Sequence, residues 1–142
     1  MAEDSASSYF GPVISAYTRA DALRDGVLVE IPAGVCREAG ITVPVAVTDA
    51  VWGIVDPGDL DQMPGQDVAG RTWDLIWMLA CAARSGQGSH RSALLYQCDV
   101  LIFREALGGG GRIERRTVTL RAVCGPGDQG EPVITIMLPW ED

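Results

Sequence analysis

The chain has no lysine, no asparagine, one histidine and two phenylalanines among its 142 residues. Without lysine, all eleven cations are arginines, so a positive patch here is built from planar forks that suit carboxylates or phosphates. The lone histidine, His90, sits in a polar Gly86–Ser92 loop with no acid beside it in sequence. No nucleophile or ligand set is identifiable to work with it, which points to a solvated side chain. The four cysteines, at 36, 81, 98 and 124, contain no C-x-x-C pair and lie in apolar segments. They are expected as reduced core residues, not zinc ligands or a disulfide framework. No apolar run approaches the ~18 residues that cross a bilayer. The opening MAEDSASS lacks the basic and apolar regions of a secretory leader, so a cytoplasmic location is expected.

What is present suffices for one core. With 47% hydrophobic residues against 21% charged, the chain excludes wholesale disorder and fibrous repeats. Residues 1–8 are expected to fray and 9–142 to form a single α+β domain. Thr18 caps a short helix over Arg19–Asp25 that Gly26 closes, and a strand follows at Val27–Ile31. Pro32 opens a second short helix ending at Gly40, before an extended Thr42–Val47. Thr48 and Asp49 begin a helical turn carrying Val51 and Trp52, and residues 56–67 form a loop rich in proline and glycine.

The strongest periodic signal is Val68–Arg84, capped by Asp67 and apolar around much of its circumference, which predicts a long buried helix over about 67–85 with Trp73 and Trp77 in the core. From residue 93 the period drops to two. Three runs, through Leu94–Ile102, Val118–Cys124 and Ile134–Leu138, predict an antiparallel meander with turns at Gly108–Gly111 and Gly125–Gly130. The expected architecture is an antiparallel sheet, made of this meander plus one or two N-terminal strands, packed on the long helix. The G-x-G-x-x-G of residues 125–130 joins two strands instead of opening a helix, so it reads as a turn and not a phosphate cradle.

Charge is segregated. The net charge is −8, and the stretch from Glu38 to Asp67 holds six carboxylates with no basic residue. Asp59-x-Asp61 lacks the glycine and the closing glutamate of a calcium loop. The acids are instead helix caps and solvated groups, or a surface imitating a phosphate backbone that docks into an arginine- or lysine-lined groove. Residues 104–121 carry five arginines against two glutamates around the glycine hairpin, behind that stretch. A pI near 4.5 disfavours direct nucleic-acid binding. Trp140, just after the last strand, is placed to leave an indole at the surface as a partner anchor. The candidate partner-binding residues are therefore Asp56, Asp59, Asp61, Asp67 and Trp140. No catalytic, cofactor-binding or metal set stands out.

Phe10-Gly11-Pro12-Val13-Ile14, Tyr17-Thr18-Arg19, Asp25–Val29, Pro44–Thr48 through Ala50–Trp52, Gly70–Asp74 and Gly125–Asp128 onward to Pro139 together resemble an uncharacterised family of small proteins encoded by phages, plasmids and integrated elements. The resemblance implies a context and no activity. Small acidic proteins of such elements include inhibitors of restriction and CRISPR machinery. The expected function is that of a non-enzymatic accessory protein that binds a host protein, with an anti-defence role as its sharper form. The alternative is a nucleotide-binding or ADP-ribosyltransferase-like enzyme, suggested by the strand, helix and strand between Ile14 and Ile31. A homo-oligomer joined through sheet edges is a third reading.

Overall fold

The computed structural model describes residues 17–86 and 92–142. The expected frayed segment 1–8, the Phe10–Ile14 motif, the strand expected at Ile14 and His90 lie outside the described residues. In chain order the elements are α1 (Arg19–Asp25), β1 (Leu28–Glu30), α2 (Ala33–Glu38), β2 (Val45–Thr48), α3 (Asp49–Val55), a 3-10 turn (Leu60–Gln62), α4 (Val68–Arg84), β3 (Ala93–Glu105), β4 (Gly111–Pro126) and β5 (Pro132–Met137). This is an α+β arrangement.

Local chemistry sets the helix starts. Thr18 and Asp21 form a reciprocal capping box on α1, and Gly26 closes it at φ 79°, a left-handed geometry that a side chain resists. Thr48 accepts from the Val51 N–H at the start of α3. Asp67 accepts from the Gly70 N–H at 2.7 Å at the start of α4.

The sheet is mixed, and this corrects the antiparallel expectation. The strand order is β1-β2-β5-β4-β3, and β2 runs parallel to β5 with Val45 opposite Ile134 and Val47 opposite Ile136. The other pairings are antiparallel. All four residues of β2 are buried. A strand covered on both faces shows no alternation, and a parallel neighbour needs a long crossover, here the chain from α3 through β4.

Ile31, Val45, Val47, Val51, Leu120 and Ile136 share one core cluster with Leu75, Ile76, Leu79 and Ala80 of α4. The buried Tyr96 hydroxyl donates to the Leu75 carbonyl, joining β3 to that helix. The tryptophans of α4 are not in the deep core, which corrects a second expectation. Trp77 is 37% exposed, Trp73 is half-buried, and their rings stack at 5.6 Å with the Arg84 guanidinium 5.0 Å from the Trp77 ring centre. Arg84 also donates to the Ala39 carbonyl, so its stem lies along α4 while its head ties α4 to the end of α2. Nor are all the cysteines core residues, because Cys124 is exposed near the end of β4.

Candidate functional site

The chain from Asp56 through the 3-10 turn forms a ridge with a depression on each side. On one side a groove of about 1050 Å³ is lined by Asp59, Asp61 and Gln62 of the ridge and by Phe103, Arg104 and Glu105 of the β3–β4 hairpin. On the other, a cleft of about 500 Å³ runs between Ile54 of α3, Pro57 of the ridge, the middle of β3 and β4, and Leu138–Trp140. Asp56 is exposed at the C-terminus of α3, directly before Pro57.

Trp140 is 78% exposed, but its backbone is anchored. The Glu141 N–H donates to the Leu138 carbonyl, closing a turn around Pro139 and Trp140. The Glu141 carboxylate accepts from the Leu138 N–H and from the Thr48 hydroxyl, each at 2.8 Å. The Arg121 guanidinium donates to the Glu141 carbonyl. The indole is thus presented from a turn tied to β2 and β4, which reduces the ordering cost of using it as an anchor.

Arg71 forms part of the cleft wall and was not among the candidates expected from sequence. It is only 7% exposed. Its Nη1 donates to the Ile54 carbonyl at 2.8 Å, its Nε to the Gln66 side chain at 3.2 Å, and its Nη2 to the Leu101 carbonyl. These bonds hold α3, the loop before α4 and β3 together around a cation that none of its hydrogen-bond partners neutralises. Desolvation lowers the guanidinium's affinity for its proton, though an arginine remains charged at neutral pH. A signal for it exists in the sequence: Arg71 precedes Leu75 and Leu79 at intervals of four, on the buried stripe of α4.

Of the expected site residues, Asp59 and Asp61 line the groove together and Trp140 lines the cleft, while Asp56 lines neither and is exposed on the ridge beside Pro57. Asp67 is engaged in capping α4. The expected charge separation is incomplete at one point, since Arg104 lines the same groove as Asp59 and Asp61. Arg104 and Arg112 each donate to Glu114 at 2.7 Å, holding its carboxyl below the ordinary range and spending much of the hairpin's positive charge locally.

Near the cleft, Cys98 is buried, and desolvation with Asp74 and Asp99 nearby pushes its thiol up to about 11. It is protonated at neutral pH and a poor nucleophile. The first-turn amides of α1 are already engaged, because Arg19 and Ala20 donate their N–H groups to the Asp128 carboxylate. In the G-x-G-x-x-G turn, the Gly127 N–H donates to the Glu131 carbonyl and the Gly130 N–H to the Gly127 carbonyl. Among the described residues, no group of three His, Cys, Asp or Glu side chains is placed to hold a metal, and no helix is long and apolar enough to cross a membrane.

Comparison with known families matches residues 8–142 to a family of unknown function, DUF6573. The chain belongs to that family. No curated protein and no solved structure matches it. Membership of DUF6573 brings no activity with it, so a functional reading rests on the ridge, the groove and the cleft.

Proposed function

We propose that this protein acts by binding another protein, using the Asp56–Asp61 ridge and the Trp140 cleft as one contact surface. The observation that carries this reading is their adjacency: a ridge bearing three carboxylates separates an acid-lined groove from an apolar cleft with an anchored, exposed indole at its lip. An indole buried in an interface removes ~150–250 Å² from water, and aromatic anchors of this kind dominate binding energies. The ridge carboxylates supply long-range attraction for a basic partner and set its orientation.

The partner class that fits is a host protein with a basic, nucleic-acid-binding groove. Charge complementarity with the ridge supports this, as does the likeness to proteins of phages, plasmids and integrated elements. In that setting the protein serves as an accessory factor in the host cytoplasm, occupying the groove of a defence component as a phosphate backbone does. No step of chemistry is assigned to it.

The test is affinity capture from a bacterial host lysate with three folded baits: the parent chain, Asp56→Ser/Asp59→Ser/Asp61→Ser, and Trp140→Ala. The reading expects a basic protein retained by the parent and depleted at least about tenfold on both variants. Equal retention on all three baits rejects the surface.

A further inference from the structure

We propose that the edge of β4 beside the Trp140 cleft, which has no strand neighbour among the described residues, receives an extended acidic segment of the protein partner, which adds to the sheet as a further strand. This rests on the protein-binding reading above and specifies the partner's side of it. β3 pairs with β4 from Ala93 opposite Val123 to Glu105 opposite Gly111. On its other side β4 is paired only along Arg121–Pro126, where β5 lies. Among the described residues, Gly111–Leu120 therefore has a strand neighbour on one side only.

At Arg116–Thr119 the unpaired side opens on the cleft. Val100–Ile102 of the paired β3 and the Leu138–Trp140 turn on the far side line it too, so the cleft crosses from the sheet surface past the edge formed by Arg116–Thr119. Amide directions alternate along an edge, so half of these residues aim both N–H and C=O at the occupant. Main-chain pairing supplies affinity in this mode of recognition, and side-chain pockets supply selectivity.

The lining selects the occupant's charge. It contains Arg116 and the buried Arg71 and no carboxylate, with apolar surface from Leu138, Pro139 and Trp140. An extended segment with carboxylates on one face and aliphatic side chains on the other matches both features. A second copy of this chain matches poorly, because edge-to-edge pairing brings Arg112, Arg115 and Arg116 of each copy toward those of the other. The partner is thus a basic body that meets the ridge and carries an acidic extended segment for the edge.

The probe is a set of end-blocked peptides of about ten residues: alternating valine and glutamate, alternating valine and lysine, and the glutamate peptide with a central proline. Each is titrated into the full chain and read by backbone amide exchange. The glutamate peptide is expected to slow exchange at alternate positions within residues 116–119 and to bind at least about tenfold tighter than the lysine peptide, while the proline peptide fails. Arg116→Ala should cost the glutamate peptide about tenfold in affinity with an unchanged circular dichroism spectrum. Equal binding of the two charged peptides, no binding at millimolar concentration, protection of 116–119 before peptide is added, or a dimer at the same concentration each overturns the proposal. The Asp56/Asp59/Asp61→Ser variant should bind the glutamate peptide at least as well as the parent. A failure at the edge is thereby separated from a failure of the ridge, which the capture experiment alone reports.

Discussion

The Asp128 carboxylate closes the N-terminus of α1 across 109 residues of sequence, accepting from the Arg19 N–H at 2.8 Å and from the neighbouring Ala20 N–H at 3.0 Å. The Arg19 guanidinium returns the connection by donating to the Thr135 hydroxyl and the Ile134 carbonyl of β5. A turn that spells a phosphate motif therefore supplies the anion itself and directs it at a helix of the same chain. The contact secures α1 to the end of the sheet formed by β4 and β5.

Removing that carboxylate should loosen the end of the molecule far from the cleft. Asp128→Ala is expected to cost about 1 kcal/mol, the worth of a helix cap, and to lower Tm by roughly 2–4 °C. Asp128→Asn, which keeps an acceptor without the charge, should cost less. Thermal melts of the two variants make the comparison, and equal Tm values for parent and alanine variant contradict it.

Arg71 should behave as a buried structural cation. Replacing it with Met leaves the Ile54 and Leu101 carbonyls without their donor, at about 1–3 kcal/mol for each group that water fails to reach. Arg71→Lys restores the charge but not the fork, and it should recover only part of the loss. Urea denaturation measures both, and full recovery by lysine argues against the bidentate role.

The two faces of α4 predict different costs. Ile76 is fully buried in the core cluster, so Ile76→Ala should destabilise by about 2–5 kcal/mol. Trp77, stacked on Trp73 and approached by Arg84 at the surface, should cost about 1 kcal/mol when replaced by alanine. Denaturant midpoints that rank the two variants the other way contradict the burial of this helix as described.

Acid should weaken the hairpin. The carboxyl of Glu114 titrates below its ordinary value because Arg104 and Arg112 donate to its charged form. A depressed carboxylate contributes stability that is fully present above its unfolded pKa and is lost as pH falls through the lower folded one. Unfolding titrations of the parent should therefore lose stability below about pH 4, and Glu114→Gln should flatten that limb of the curve. An unchanged acid limb removes Glu114 from the account.

Short-range chemistry was legible in the sequence, and long-range chemistry was not. Thr18, Thr48 and Asp67 each act on a residue three positions ahead, so their caps can be read from spacing. The β3–β4 hairpin could be read because alternation and the intervening glycines agree. The extended segment at Thr42–Val47 could be read as well, but its parallel pairing with β5 could not, because Val45–Thr48 is buried throughout and its partner lies far along the chain. Aromatic spacing placed Trp77 inside, whereas the smaller Leu75, Ile76, Leu79 and Ala80 fill the tight contact and leave the indoles along its margin. At the candidate site the acids and Trp140 could be picked out singly. Their arrangement about one ridge could not, since Leu138–Glu141 reaches its position through Thr48 and Arg121, far away in the chain.

The central claim, that the Asp56–Asp61 ridge and Trp140 form one protein-binding surface, is tested most directly by the salt dependence of binding to the captured partner. Dissociation constants are measured at low and at physiological ionic strength for the parent, the triple serine variant and Trp140→Ala. The account predicts that the parent's affinity falls as salt rises, that the triple variant is weaker and nearly insensitive to salt, and that Trp140→Ala is weaker with the parent's salt slope. Three identical affinities with identical slopes contradict it.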